Sequence, residues 1–238
     1  MGDTDKKKSR TPLVTPIKGG MVRNGVSLCI GIEGRDELVR VFVKEQPFKT
    51  VLDVGCGIGE LFHILTSKGA KATGIDILPR NRVEPQISNS EVEYIEADFM
   101  EYQDNRKFEA VISSHVIEHI PDTERFLRHF LSFIVPGGVY CLIWPPPKIQ
   151  VVGGHVHLFY MGTMLYNLVR IGVNCKNVHM LRCGYSLGII GRLETFEVPQ
   201  LEHNKSDIKK LSPFFPMRVS QGFDGKNMPG IRKIAKGE

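Results

Sequence analysis

No run of about 18 apolar residues occurs anywhere in the chain, so no transmembrane helix is expected. The N-terminus, Met1 to Arg10, is polar and basic with no apolar stretch behind it, so a secretory leader is not expected. Gly2 is followed at position 6 by Lys6, where N-myristoylation wants Ser or Thr. The five cysteines, Cys29, Cys56, Cys141, Cys175 and Cys183, form no C-x-x-C pair and are odd in number. They read as reduced thiols of a cytoplasmic protein rather than as a disulfide framework. There is no internal repeat. A single-sign charge excess is also missing from the body, although the chain carries +5. Residues 1–12 hold four cations against two acids, and residues 226–238 hold four against one, so residues 13–225 sum to zero. Phosphate contacts need clustered cations, so a nucleic-acid partner is not expected.

What is present is a chain of 238 residues, long enough for one sizeable core. It is organised around residues 50–60, Thr-Val-Leu-Asp-Val-Gly-Cys-Gly-Ile-Gly-Glu. Val51 to Val54 reads as a buried parallel strand, and a helical pattern over about 59–68 follows the glycines at once. Gly55 and Gly57 can take backbone angles closed to other residues and let a ligand lie against the main chain. Such a turn opens a crevice at the strand's carboxyl end, where open α/β sheets bind ligands. Further strands are predicted at 71–77, 91–95, 108–114 and 139–144. Two closing strands at 178–182 and 186–193 suggest an antiparallel hairpin at the sheet edge. Helices are predicted at 34–46, 122–134 (ended by Pro136-Gly137-Gly138) and 158–171, with a short one at 207–214. Strands alternating with helices indicate a parallel sheet.

The pattern D-x-G-x-G-x-G at residues 53–59 resembles motif I of the class I S-adenosylmethionine (SAM) methyltransferases. The resemblance continues in order through Gly74-Ile75-Asp76-Ile77, Glu96-Ala97-Asp98-Phe99, Phe108 to His115, and Val135-Pro136-Gly137-Gly138. It covers roughly residues 48–145. It implies an α/β Rossmann-like methyltransferase fold, a seven-stranded, mainly parallel sheet with helices on both faces, and SAM as cofactor. The expected organisation is a flexible basic arm (1–20), an N-terminal cap and helix (21–47), the SAM-binding core (48–195) and a C-terminal wrap ending in a flexible tail (196–238). The helix at 34–46 would pack beside the first strand and help roof the site.

The resemblance places Asp53, Gly55, Gly57, Gly59, Asp76, Ile77, Asp98, Phe99 and Ser114 at the cofactor. A ribose diol suits a carboxylate at a strand end, which is the position of Asp76. Asp98 can accept from the adenine amino group, with Phe99 offering apolar area. Asp53 is expected to orient the glycine-loop amides or the ligand's ammonium through water, and Glu60 to favour the helix dipole.

A second constellation, His115, Glu118 and His119, follows the strand at 108–114, and His155 and His157 follow the strand at 139–144 on the same side. Two uses compete. Histidine is a common general base for deprotonating a hydroxyl acceptor, with His119, His115, Glu118 and His157 as the catalytic set. Alternatively, His115, Glu118, His119 and His157 hold a divalent cation. The second use resembles the pattern of small-RNA 2′-O-methyltransferases, from which this chain departs by carrying His115 where a second glutamate is usual. His119 would sit one helical turn past His115 if the segment begins a helix. Trp144-Pro145-Pro146-Pro147-Lys148 is a stiff step suited to shaping an acceptor pocket.

The stretches Gly153-Gly154-His155 and Leu211 to Phe223 resemble methyltransferases associated with bacterial glycan and cell-surface polysaccharide synthesis. The expected activity is therefore O-methylation of a sugar or other small polar acceptor by in-line displacement. RNA 2′-O-methylation, a lipid quinone precursor as acceptor, and a non-catalytic SAM-binding scaffold remain as alternatives. The oligomeric state is not legible.

Overall fold

The computed structural model describes residues 21–23, 26–28, 32–83 and 90–237. The arm at 1–20 lies outside them. Residues 1–32 and 33–238 are separate compact units. In the first, strands β1 (Met21–Arg23) and β2 (Val26–Leu28) pair antiparallel, Met21 opposite Leu28.

The second unit is built on an eight-stranded sheet. Its strands are β3 (Thr50–Val54), β4 (Lys71–Asp76), β5 (Val92–Glu96), β6 (Phe108–Ser114), β7 (Ile134–Trp144), β8 (His179–Cys183), β9 (Ser186–Arg192) and β10 (Arg232–Lys233). The spatial order is β10-β8-β9-β7-β6-β3-β4-β5, and only β9 runs against its neighbours. Seven strands were expected. The eighth comes from the segment read as tail: Arg232 and Lys233 pair parallel with Leu181 and Arg182, so the β8–β9 hairpin is not the edge.

Side chains alternate across the sheet and build two cores. On β7, Val139, Cys141 and Ile143 join one cluster, and Tyr140, Leu142 and Trp144 the other. The first cluster is covered by α1 (Arg35–Glu45), whose Leu38, Val39, Phe42 and Val43 are buried. Each such side chain stabilises the fold by about 1.5–3 kcal/mol. The second is covered by α3 (Thr123–Ser132), through Phe126, Leu127 and Phe130, and by α4 (Met161–Arg170), through Met164, Leu165 and Leu168. Helices therefore lie on both faces, as expected for a doubly wound sheet.

Several boundaries differ from the sequence reading. The helix expected at 59–68 is only α2 (Phe62–Leu65), because the glycine turns continue to residue 61. Pro136-Gly137-Gly138 does not end α3. It lies inside β7, where the register against β6 shifts between Phe108 and Ala110. Asp122 caps α3 by accepting from Arg125 N–H at 2.9 Å. The short helix expected at 207–214 is α5 (Ser206–Leu211) followed by a 3₁₀ turn at Ser212–Phe214. Among the described residues no helix is long and apolar enough to cross a membrane.

Candidate active site

The carboxyl ends of β3, β4 and β6 meet around the glycine turn. Gly55 and Gly57 have φ of 73° and 57°. At Gly55 a Cβ would sit 2.2 Å from Val116 Cγ2, so a larger residue would clash as well as strain the backbone. At Gly57 a Cβ would meet nothing within 4 Å, leaving open space beside the main chain. The turn is tied to β4: Gly55 and Cys56 N–H both donate to the Ile75 carbonyl, and Gly57 N–H donates to Asp76 Oδ2 at 2.8 Å. Asp76 Oδ1 accepts from Leu78 N–H at 3.0 Å. Each oxygen of Asp76 retains a further acceptor position.

A cavity of about 690 Å³ opens here. Gly55, Asp76, Ile77, Asp98 and Phe99 line it, as do His115 and His119. Asp53, Gly57, Gly59 and Ser114 are not in its lining, nor are Glu118 and His157. Asp98 Oδ1 accepts from Met100 N–H at 2.8 Å, and Phe99 is buried against Phe126, Phe133 and His129. The far wall brings Met100, Val116, Pro121 and Arg125, which the sequence reading had not singled out. The Pro121-Asp122 step that starts α3 was the available signal for this wall.

Beneath the turn, Asp53 is fully buried and neither carboxylate oxygen has a hydrogen-bond partner among the described residues. The alternation along β3 puts it on the face covered by α1. Burial pushes its carboxyl up to about 7; the Arg35 guanidinium opposes this and the Asp76 carboxylate adds to it. Burial likewise pushes the Cys56 thiol well up, which makes it inert. Arg35 itself is buried, with Nε 3.0 Å from Asp36 Oδ1 and Nη1 2.8 Å from Glu60 Oε2. Glu60 therefore does more than favour a dipole: it joins α1 to the end of the glycine turn. Sequence reasoning missed Arg35 because its partner is 25 residues away.

The histidine segment is not helical in the way expected. His115 has φ of 57°, a conformation costing a non-glycine residue about 1–2 kcal/mol, and a 3₁₀ turn covers Ile117–His119. Hydrogen-bond partners assign the rings. Ser186 Oγ donates to the Glu33 carbonyl at 3.1 Å, so at 3.3 Å it accepts from His115 Nε2–H. His115 Nδ1 then faces Glu118 Oε1 at 3.4 Å. Glu118 is buried with neither oxygen hydrogen-bonded among the described residues. His119 Nδ1 lies 2.9 Å from the Gly154 carbonyl and must donate to it. In the neutral ring this leaves the Nε2 lone pair free, 3.9 Å from Glu118 Oε1.

The loop after β7 fixes the remaining histidines, because Val156 and His157 N–H both donate to the Glu118 carbonyl. His155 packs edge-on to His119 at 4.8 Å, and burial holds its ring below the usual histidine range. His157 Nε2 instead donates to the Pro121 carbonyl at 3.0 Å. Ligand atoms of Glu118, His119 and His155 lie within 4.8 Å of one another. The metal-capable group thus contains His155, in place of the expected His115 and His157.

Residues 32–146 match the family model described as "Methyltransferase domain". The match takes in 115 of the 238 residues. Among curated relatives, the ubiquinone biosynthesis O-methyltransferase of Paramagnetospirillum magneticum is 35% identical over 113 residues, covering 45% of this chain and 43% of the relative. Its namesake in Rickettsia canadensis is 24% identical over 194 residues, covering 79% of this chain and 68% of the relative. The chain thus spans under half the length of the first. Among solved structures, the 1,6-didemethyltoxoflavin-N1-methyltransferase of Burkholderia thailandensis superposes with a TM-score of 0.58 at 14% identity, covering 67% of this chain and 78% of that one. The N-methyltransferase NodS of Bradyrhizobium japonicum gives 0.56 at 16%, covering 66% and 84%. These likenesses establish the methyltransferase fold. Both curated relatives are named for ubiquinone biosynthesis, so the expected association with glycan synthesis finds no support in them.

Proposed function

We propose that the chain transfers the methyl group of SAM to a hydroxyl on an acceptor with an apolar body, and that His119 receives the hydroxyl proton. The observation that carries the acceptor class is the loop that supplies Gly154 and His155 to His119. On it Ile149 and Val151 are fully exposed, and Val156 and Leu158 more than half exposed. A sugar asks its site for many hydrogen-bonding groups, whereas the loop beside His119 offers apolar area. The named relatives, O-methyltransferases of ubiquinone biosynthesis, point the same way. RNA fits poorly, since the cavity lining carries Asp76, Asp98 and Asp122 against a single arginine, Arg125.

The residues fit the cofactor. Asp76 has acceptor positions to spare for a diol, Gly57 leaves space against the backbone, and the unpartnered Asp53 carboxylate lies below. When bound, SAM supplies an electrophilic methyl carbon. The protein's part is to hold the acceptor oxygen in line and to take its proton, and the free Nε2 of His119 at the cavity wall suits that task. The Gly154 carbonyl keeps the ring in the tautomer that can accept. A metal-assisted version of the same step is favoured by one observation, the convergence of Glu118, His119 and His155.

Asp76→Ala removes a carboxylate that would accept from the diol and also holds Gly57 N–H. SAM affinity should fall by about 1.5–3 kcal/mol, the scale of hydrogen bonds to a charged group. Calorimetry giving an unchanged affinity would refute this cofactor placement. Acceptor class is tested with methyl-labelled SAM against an isoprenoid phenol, a panel of free sugars and structured RNA. Label should enter the phenol, and transfer to sugar or RNA alone would overturn the acceptor reading.

A further inference from the structure

A basic cleft lies away from the methyl-transfer cavity. β8 runs in the same direction as β7, so the segment before it sits at the amino end of the sheet, opposite the glycine turn. There Cys175 N–H donates to the Phe214 carbonyl, and Phe196 stacks on Phe214. Between this segment and residues 205–221 is a cleft of about 640 Å³, within the size range of small-ligand sites. Lys176, Lys205, Lys209 and Arg218 line it, and no acidic residue does.

None of these four cations forms a salt bridge among the described residues. The nearby acids are already engaged: Glu202 pairs with Lys210 at 2.8 Å, and Asp207 accepts from the N–H groups of Glu202 and Asn204. The rest of the wall joins apolar Phe215 and Met217 to polar Ser212, Ser220 and Gln221. Its shape is fixed by Ser212, whose Oγ donates to the Val219 carbonyl and accepts from Val219 N–H at 3.0 and 3.1 Å. Four unneutralised cations around one concavity repel one another, which an anion relieves. The neutral charge of residues 13–225 as a whole makes this segregation a local feature.

We propose that this cleft binds a small organic phosphate, its anionic group held by Lys176, Lys205, Lys209 and Arg218 and its apolar part against Phe215 and Met217. Lysine and arginine around a concave site suit a phosphate group, and a small enclosed ligand suits a cleft better than an extended polymer does. The assignment is independent of the methyl acceptor.

Calorimetry on the full chain at low salt would use inorganic pyrophosphate, a nucleoside diphosphate and geranyl diphosphate as probes, with phosphatidylglycerol vesicles as a separate arm. Saturable binding of an organic diphosphate, tighter than pyrophosphate and weakened by salt, is expected. The double substitution Lys209→Ala, Arg218→Ala should weaken it by about ten-fold or more, the scale of losing charged hydrogen bonds. SAM affinity in the same variant should stay at the wild-type value, which shows that it folds. No saturable binding of any soluble phosphate, binding unaltered in the variant, or binding to vesicles alone would each overturn the proposal.

Discussion

Asp53→Asn is expected to stabilise the protein by about 4 kcal/mol at pH 8 and by only about 1 kcal/mol at pH 4.5. The reason is a carboxyl that folding takes out of water and gives no hydrogen bond. Its value rises from 3.8 in the exposed chain to about 7 in the folded protein. Between these values the folded state keeps a proton that the unfolded state has released. Raising the pH therefore favours unfolding across that window, and above about 7 the whole penalty is present. Asparagine has nearly the shape of the protonated acid and never ionises, so it removes the penalty where it is large and changes little where it is small. Arg35 is not stranded by the change, because Asp36 and Glu60 still hold it. Urea unfolding of both proteins at the two pH values measures the difference. Equal effects at both, or destabilisation at pH 8, would mean that Asp53 is ionised and partnered in the folded state.

The same residue shows where sequence reading stops. Leu52 and Val54 mark β3 as a buried strand, and the glycines after it mark the turn, because both are local properties of the chain. The parallel core was legible for that reason. That Asp53 faces α1, beside Arg35, depends on which face α1 covers, and no local pattern states it. β10 was missed on similar grounds. Two exposed residues carry no periodicity; Arg232 and Lys233 become a strand only by pairing with β8, helped by Ile234 N–H donating to the Arg182 carbonyl and by the Arg232–Glu45 ion pair.

The histidines divide in the same way. Their gathering near the ends of β6 and β7 followed from strand order. Which of them converge on Glu118 did not, since His155 and His157 differ by two positions in one loop. The choice is made by two backbone hydrogen bonds, from Val156 and His157 to the Glu118 carbonyl. The left-handed backbone of His115 was likewise invisible, as nothing in the residue type asks for it. It lets the ring reach both Ser186 and Glu118, so the unusual conformation and the polar contacts arise together.

His119→Gln should lower methyl transfer by about 10²–10⁴-fold, the usual contribution of general acid–base catalysis, with SAM affinity little changed. Glutamine can still donate to the Gly154 carbonyl, so the loop anchor survives, but it offers no basic nitrogen in place of Nε2. The substitution alone does not separate the two uses of the site, because it also removes a metal ligand. Cation measurements do. If His119 acts without metal, chelator leaves wild-type turnover intact and His155→Gln keeps most of it. If Glu118, His119 and His155 hold a cation, chelator abolishes turnover, added divalent metal restores it, and each of the three substitutions lowers metal content measured on the purified protein. The buried Glu118 distinguishes them further: in the metal case Glu118→Gln removes a ligand charge, while in the base case it acts only through its neighbours His115 and His119. Near wild-type turnover in His119→Gln, with no response to chelator, would remove His119 from both versions. His115, through Nδ1, or His155 would then be the candidate base, since the Nε2–H of His115 is committed to Ser186 and only its Nδ1 can accept.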